Sequence, residues 1–316
     1  MKRVVLPVLI VGLLLACTGA PPPLPPLVID DNNPGTNPEL VVKIPDLFSP
    51  NPDIVDDTMT VSIKVVHPVA IRDWDITVQA MRQRLTTEQL AEIQTRRDEQ
   101  APRQRTREIQ PFYELIGTGT PPAEWVWNGR SSSRHSAQGE DEMVQSATAY
   151  QFALYVNDIY GNHSTYEGVI EVDVIVRKDG DKLRIVVPSI TFQADSSNFS
   201  QPAADLTEEV IEANRRVLRL IANALDKYPG YKITIEGHAN PVHSPNSRNQ
   251  RNAEPSLKTF SESRARAVGV YLTENHGIDS GRFTYIGVGS DRVLVSFNED
   301  AEEKWKNRRV EFILDR

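Results

Sequence analysis

One cysteine, Cys17, stands in a chain of 316 residues. A single thiol excludes intrachain disulfides and cysteine-rich metal sites. Basic charge is not in excess: 35 lysines and arginines face 43 aspartates and glutamates, for a formal net charge of −8. No broad positive field is available to track phosphates, which argues against a nucleic-acid binder. The apolar run from Val4 to Leu15 is broken by Pro7 and Gly12 and is too short for a comfortable transmembrane helix. Gly287-Val288-Gly289 is too short for a dinucleotide motif, and no helix opening follows it. No nucleophile with a base beside it stands out, so the chain is not expected to be an enzyme. What remains, at 39% hydrophobic and 25% charged residues, fits a globular body long enough for two domains.

Lys2 and Arg3 ahead of the apolar run give the charged start and short core of a secretory leader. Leu14-Leu15-Ala16-Cys17 resembles the lipobox of bacterial lipoproteins. That resemblance implies removal of residues 1–16 and acylation of Cys17, with roughly 0.8 kcal/mol of membrane affinity per buried methylene. A conventional leader, or a buried cysteine, is the competing reading. Residues 17–40 are then the lipidated cysteine and a Pro-rich tether. Pro21 to Pro26 favours polyproline II, at about 3.1 Å per residue, and Asn32-Asn33-Pro34-Gly35 adds turn chemistry without an apolar period.

Residues 41–180 read as all-β. Met59 to Val65 alternates apolar and polar positions, as do Trp74, Ile76 and Val78, then Tyr150, Phe152, Leu154 and Val156. Ile170, Val172, Val174 and Val176 suggest one further long strand, with a tight turn at Asp179-Gly180. Short strands with turns between them suggest a sandwich. Phe48 to Asp53, Trp125 to Gly129 and Asp158 to Asn162 resemble fragments of the immunoglobulin-like domain of the FlgD family. A polar stretch at about 82–110, with Thr86-Thr87-Glu88-Gln89 as a helix start, reads as a helical insertion into that sandwich. Its arginines 96, 97, 103, 105 and 107 are partly offset by neighbouring acids. Asp53, Asp56 and Asp57 read as a solvated turn rather than a calcium site.

Residues 181–316 alternate strand and helix in the order β-α-β-α-β, an α+β arrangement with helices packed on a sheet. Leu183, Ile185 and Val187 mark a strand, and Asp205 offers an N-cap for a helix carrying Val217, Leu218, Ile221 and Leu225. Ile233 and Ile235 lead into Gly237. Ser261 is expected to cap a second helix that ends at Gly277, and Val310, Phe312 and Leu314 complete the sheet.

Gly237-His238-Ala239-Asn240, Ser261-Glu262-Ser263-Arg264-Ala265 and Asn307-Arg308-Arg309-Val310-Glu311 together resemble the peptidoglycan-binding OmpA-like family. The resemblance implies a stem-peptide ligand whose diaminopimelate end carries an ammonium and a carboxylate. Arg264 matches the carboxylate-binding arginine, since a guanidinium fork bonds both oxygens. Arg308 or Arg309 is expected nearby, with Asn307 ordering the turn. Asn240 stands where the family places an aspartate, which removes a charge from the ammonium's partner. A bond to a charged group contributes about 1.5–3 kcal/mol against roughly 1 for a neutral pair. Affinity for such a ligand is expected to fall by about one or two orders of magnitude. His238 and His243 make a weak metal pair, and neither metal nor cofactor is expected. The implied function is a lipid-anchored outer-membrane protein facing the periplasm that links membrane to peptidoglycan. Envelope proteins are its further expected partners, through the immunoglobulin-like domain. The alternative is an envelope interaction scaffold whose OmpA-like pocket no longer binds the wall.

Overall fold

A computed structural model describes residues 24–50, 57–83, 111–132, 142–298 and 303–316. The expectations for the leader, for Cys17, for Asp53 and Asp56 and for the insertion from 84 onward lie outside those residues. Among the described residues no helix is long and apolar enough to cross a membrane.

Two antiparallel sheets build the first part. One has the order β1 (Glu39–Lys43), β2 (Met59–Val66), β5 (Glu124–Trp127). The other runs β4 (Tyr113–Thr118), β3 (Ile71–Ala80), β6 (Ala149–Asp158), β7 (His163–Glu171). Strand β2 buries every second residue, as its alternation requires. Both sheets contribute to one core, in which Val61, Ile76, Phe152 and Leu154 are fully buried and the Trp125 and Trp127 rings stack at 5.5 Å.

The expected strand from Ile170 to Val176 is two strands. Strand β7 stops at Glu171, and β8 (Val176–Asp179) turns through Gly180 to pair with β9 (Lys182–Val187) in a different sheet. The break has a local cause. Asp173 Oδ1 accepts from the Val174 amide at 2.7 Å, and Ser146 Oγ accepts from the Ile175 amide at 2.9 Å. Side chains thereby take backbone donors that a continuous strand would pair in its ladder. Residues 28–38, within the expected Pro-rich tether, lie on the first part. The Val28 amide donates to the Ile159 carbonyl (2.8 Å), Asn162 Nδ2 donates to Asn33 Oδ1 (2.8 Å), and Ser164 Oγ donates to the Pro38 carbonyl (2.5 Å).

The C-terminal sheet has the order β11 (Phe283–Gly289), β10 (Lys232–His238), β12 (Val310–Asp315), β9, β8. Only β10 and β11 run parallel. Helices α1 (Glu208–Asp226) and α2 (Arg248–His276) pack on it through Leu218, Ile221, Ala265, Val268 and Leu272. Two expected helix starts are corrected. Helix α1 is capped by Thr207, whose side chain accepts from the Val210 amide, while Asp205 accepts from the Ala194 amide. Helix α2 begins at Arg248 behind Ser247, so Ser261 lies mid-helix and residues 248–260, ahead of the expected start, are helical. Strand β11 runs through Gly287 to Gly289, so these glycines are strand residues and not the turn they suggest.

The reason is a close approach. Gly237 and Gly287 face each other in the parallel register. A Cβ on Gly237 would lie 1.9 Å from the Ser261 carbonyl oxygen, and one on Gly287 would lie 1.8 Å from that of Lys258. Two glycines side by side form a trough that takes the helix backbone itself. Ser261, fully buried, then accepts from the Gly289 amide at 3.0 Å and donates to the Lys258 carbonyl.

Candidate functional site

The three polar motifs meet where β10 ends. The His238 amide donates to the Arg309 carbonyl at 3.0 Å, the Ala239 amide to the Gly289 carbonyl at 2.8 Å, and Ser261 abuts Gly237. Arg264, one helical turn beyond Ser261, is buried. Its Nε donates to the Ser196 carbonyl at 3.0 Å and an NH2 to the Gln193 carbonyl at 3.4 Å. Its guanidinium lies 4.2 Å from the Phe260 ring centre and 4.8 Å from that of Phe192. Burial, with the positive charge of Arg308 adding and Asp195 opposing, lowers the guanidinium pKa to about 10. The group stays charged at neutral pH.

Asn240 Oδ1 is buried and accepts no hydrogen bond among the described residues. An orphaned acceptor of this kind costs about 1–3 kcal/mol unless a donor reaches it. Arg308 is exposed. Asn307 and Arg309 are turned inward. Asn307 Oδ1 accepts from the amides of Leu294 (2.7 Å) and Val295 (2.9 Å), and its Nδ2 donates to the Val295 carbonyl (2.8 Å). Arg309 pairs with Glu311 at 2.6 Å and donates to the Arg292 carbonyl at 3.0 Å. Asn307 thus holds a loop and Arg309 a buried ion pair. Of the other three expected site residues, Arg308 is exposed, Asn240 half-buried and Arg264 buried.

A buried charge cluster lies under this end of the sheet. Glu236 and Glu311 are directly opposite in register on β10 and β12, with His238 two residues on. Among the described residues these three form the one group with a metal-ligand arrangement, and His243 is not part of it. Arginines already hold the carboxylates. Glu311 meets Arg184 at 2.5 Å and Arg309 at 2.6 Å, and Glu236 meets Arg292 at 2.6 Å. Three guanidiniums face these two carboxylates and Asp179, which Arg184 also meets at 2.7 Å, so the carboxylate oxygens are already paired, which disfavours a divalent cation. Sequence reading missed this group because two like charges facing each other are visible only once the register is known.

His238 sits 3.5 Å from Glu311 and 3.7 Å from Glu236, beyond ordinary hydrogen-bond length. Burial lowers its pKa, the Glu236 carboxylate opposes, and Arg309 and Arg292 lower it further. For Glu236, burial raises the pKa, but the nearby His238 imidazole and the bond and charge of Arg292 prevail and hold it at about 2. Both depressions act in one direction. The unfolded chain binds the proton first as the pH falls, so stability is full above the unfolded values and drains on acidification. We expect the melting temperature to begin falling below about pH 6.5 through His238 and again below about pH 4.3 through Glu236. His238→Gln should flatten the first phase; an unchanged slope between pH 6.5 and 5 would refute the assignment.

Residues 191–308 match the OmpA family. The C-terminal domain is therefore OmpA-like, as the motifs imply. Outer membrane porin F of Pseudomonas aeruginosa is 34% identical over 94 residues, covering 30% of this chain and 24% of that protein. The chain spans about a quarter of that relative's length. Among solved structures, a MotB-like protein from Desulfovibrio vulgaris aligns over 46% of this chain and 82% of its own, at 27% identity and a TM-score of 0.33. The cell wall anchor of the T6SS from Pseudomonas aeruginosa aligns over 45% and 86%, at 25% identity and a TM-score of 0.33.

Proposed function

We propose that this chain is a cell-envelope lipoprotein that attaches a membrane to peptidoglycan through its OmpA-like domain, without catalysis. The observation that carries the reading is Arg264. It is a charged, buried guanidinium within the OmpA-like stretch, held between two phenylalanine rings by carbonyls of one loop. Such a group is oriented before a ligand arrives, so little side-chain entropy is lost when it meets a carboxylate. Asn240, with its unpartnered oxygen, is the acceptor for the ligand's ammonium, and Arg308 adds positive field at the rim. Asn307 and Arg309 serve the site from behind. In this reading Cys17 carries the acyl anchor in the outer membrane, and the immunoglobulin-like part stands between anchor and wall.

Co-sedimentation of the protein with purified sacculi tests the proposal. The parent should pellet with the wall, Arg264→Ala should lose at least about tenfold in affinity, and Asn240→Asp should gain about tenfold by restoring a charged bond. Failure of the parent to pellet would sink the proposal. A second reading has an observation in its favour. Arg264 already makes two backbone bonds, which suits a packing role in a scaffold that has lost the ligand. That reading predicts a lower melting temperature for Arg264→Ala with no wall binding in any variant.

A further inference from the structure

Arg82 closes β3 in a short helical turn, outside the stretch that matches the OmpA family. It nevertheless reaches the loop that holds Arg264. Its guanidinium donates to the Thr191 hydroxyl and lies 5.7 Å from the Trp305 ring centre. Thr191 is itself pinned, because Asn214 accepts from its amide and donates to its carbonyl, both at 2.8 Å. Two arginines, one in the helical turn after β3 and one on α2, thus hold one loop, Arg82 at residue 191 and Arg264 at residues 193 and 196. Arg308 lies within electrostatic reach of both.

Among the described residues these charges do not balance. Among the described residues neither Arg82 nor Arg308 has a carboxylate partner, and only Asp195 offsets Arg264. Asp195 adopts a left-handed backbone at φ 50°, so this loop also stores strain beside the charge. The neighbouring Lys306, in contrast, is neutralised by Glu142 and Glu303. Trp305, two residues after Glu303, is buried in the core of the first part and fixes the Arg308 turn against Arg82. Converging guanidiniums without counter-charge among the described residues suit a ligand with more than one carboxylate.

We infer that Arg82 and Arg308 form a second carboxylate subsite beside Arg264, so that the stem peptide is read jointly by the first part and the OmpA-like domain. The inference rests on the wall-binding reading. The first carboxylate belongs to Arg264, and the second is the free α-carboxylate of the peptide's glutamyl residue.

Calorimetric titration of the full-length protein with L-Ala–γ-D-Glu–meso-diaminopimelate, and with the same peptide amidated at the glutamyl carboxyl, tests it. The parent should prefer the free acid by about tenfold, the worth of one charge-assisted bond. Arg82→Gln and Arg308→Gln, both at exposed positions, should abolish that preference, so that each variant binds the free acid no better than the amide; Arg264→Ala should weaken both peptides. If both glutamine variants keep the preference while Arg264→Ala loses binding, this inference falls and wall binding stands. If the parent binds neither peptide, both fall.

Discussion

Gly237→Ala is expected to destabilise the OmpA-like domain by about 3 kcal/mol, at the upper end of ordinary overpacking. The new methyl would sit 1.9 Å from the Ser261 carbonyl oxygen and 2.6 Å from its carbon. Those are backbone atoms at the middle of a 29-residue helix, so no rotamer change relieves the contact. Relief requires α2 to rise off the sheet, which would also stretch the bond from the Gly289 amide to Ser261. The melting temperature should fall by roughly 10 °C, followed by the helical circular-dichroism signal, since both long helices pack on this sheet. Gly287→Ala should behave alike. The double variant should cost less than the sum, because one displacement of the same helix segment relieves both clashes. Gly230→Ala is the control, since nothing lies within 4 Å of its added methyl. A Gly237→Ala protein that melts with the parent would disprove the trough.

Alternation placed β2, β3, β6 and the C-terminal strands, because each buries one face in a core. The first half of α2 was illegible. Residues 248–259 carry no apolar stripe and include Pro255, so the segment reads as loop. What makes it helix is tertiary: Gln250 accepts from the Val242 and His243 amides, and Glu254 accepts from the Ser290 amide and hydroxyl. Polar side chains, and not an apolar face, bind this half to its loops, and no periodicity reports that. The docking of residues 28–38 was hidden for the same reason, since its contacts are backbone carbonyls and asparagines.

At the site, the motifs named Arg264 and Asn240 but not the direction in which each neighbour points. Arg308 and Arg309 are equivalent by spacing. The structure separates them because position 309 lies directly before β12, and its side chain meets Glu311 on that strand, while position 308 stays on the exposed turn. Arg82 could not be found from motifs, being far away in sequence and drawn in by Trp305 and Thr191.

Arg309→Met should cost about 3 kcal/mol at neutral pH, near the lower end for breaking a buried ion pair. Glu311 is almost wholly buried and would keep only Arg184 as a guanidinium partner, itself shared with Asp179, besides His238 at 3.5 Å. The sign of the pH effect identifies the cause. In the parent, burial raises the Glu311 pKa, and Arg309, with His238 and Arg184, outweighs it and holds the carboxyl below its ordinary value. That contribution is present above the unfolded pKa and is lost as pH falls through the folded one. Without Arg309 the burial effect gains ground and the folded pKa rises. Protonation then relieves the variant where it weakens the parent, so the gap between them should narrow from pH 7 to pH 4. Arg309→Met combined with Glu311→Gln should recover most of the loss, because the charge left unpaired is gone. Urea unfolding across that pH range measures all three proteins. A gap that stays constant with pH, or a double variant no more stable than Arg309→Met, would mean that lost packing rather than the stranded carboxylate sets the cost.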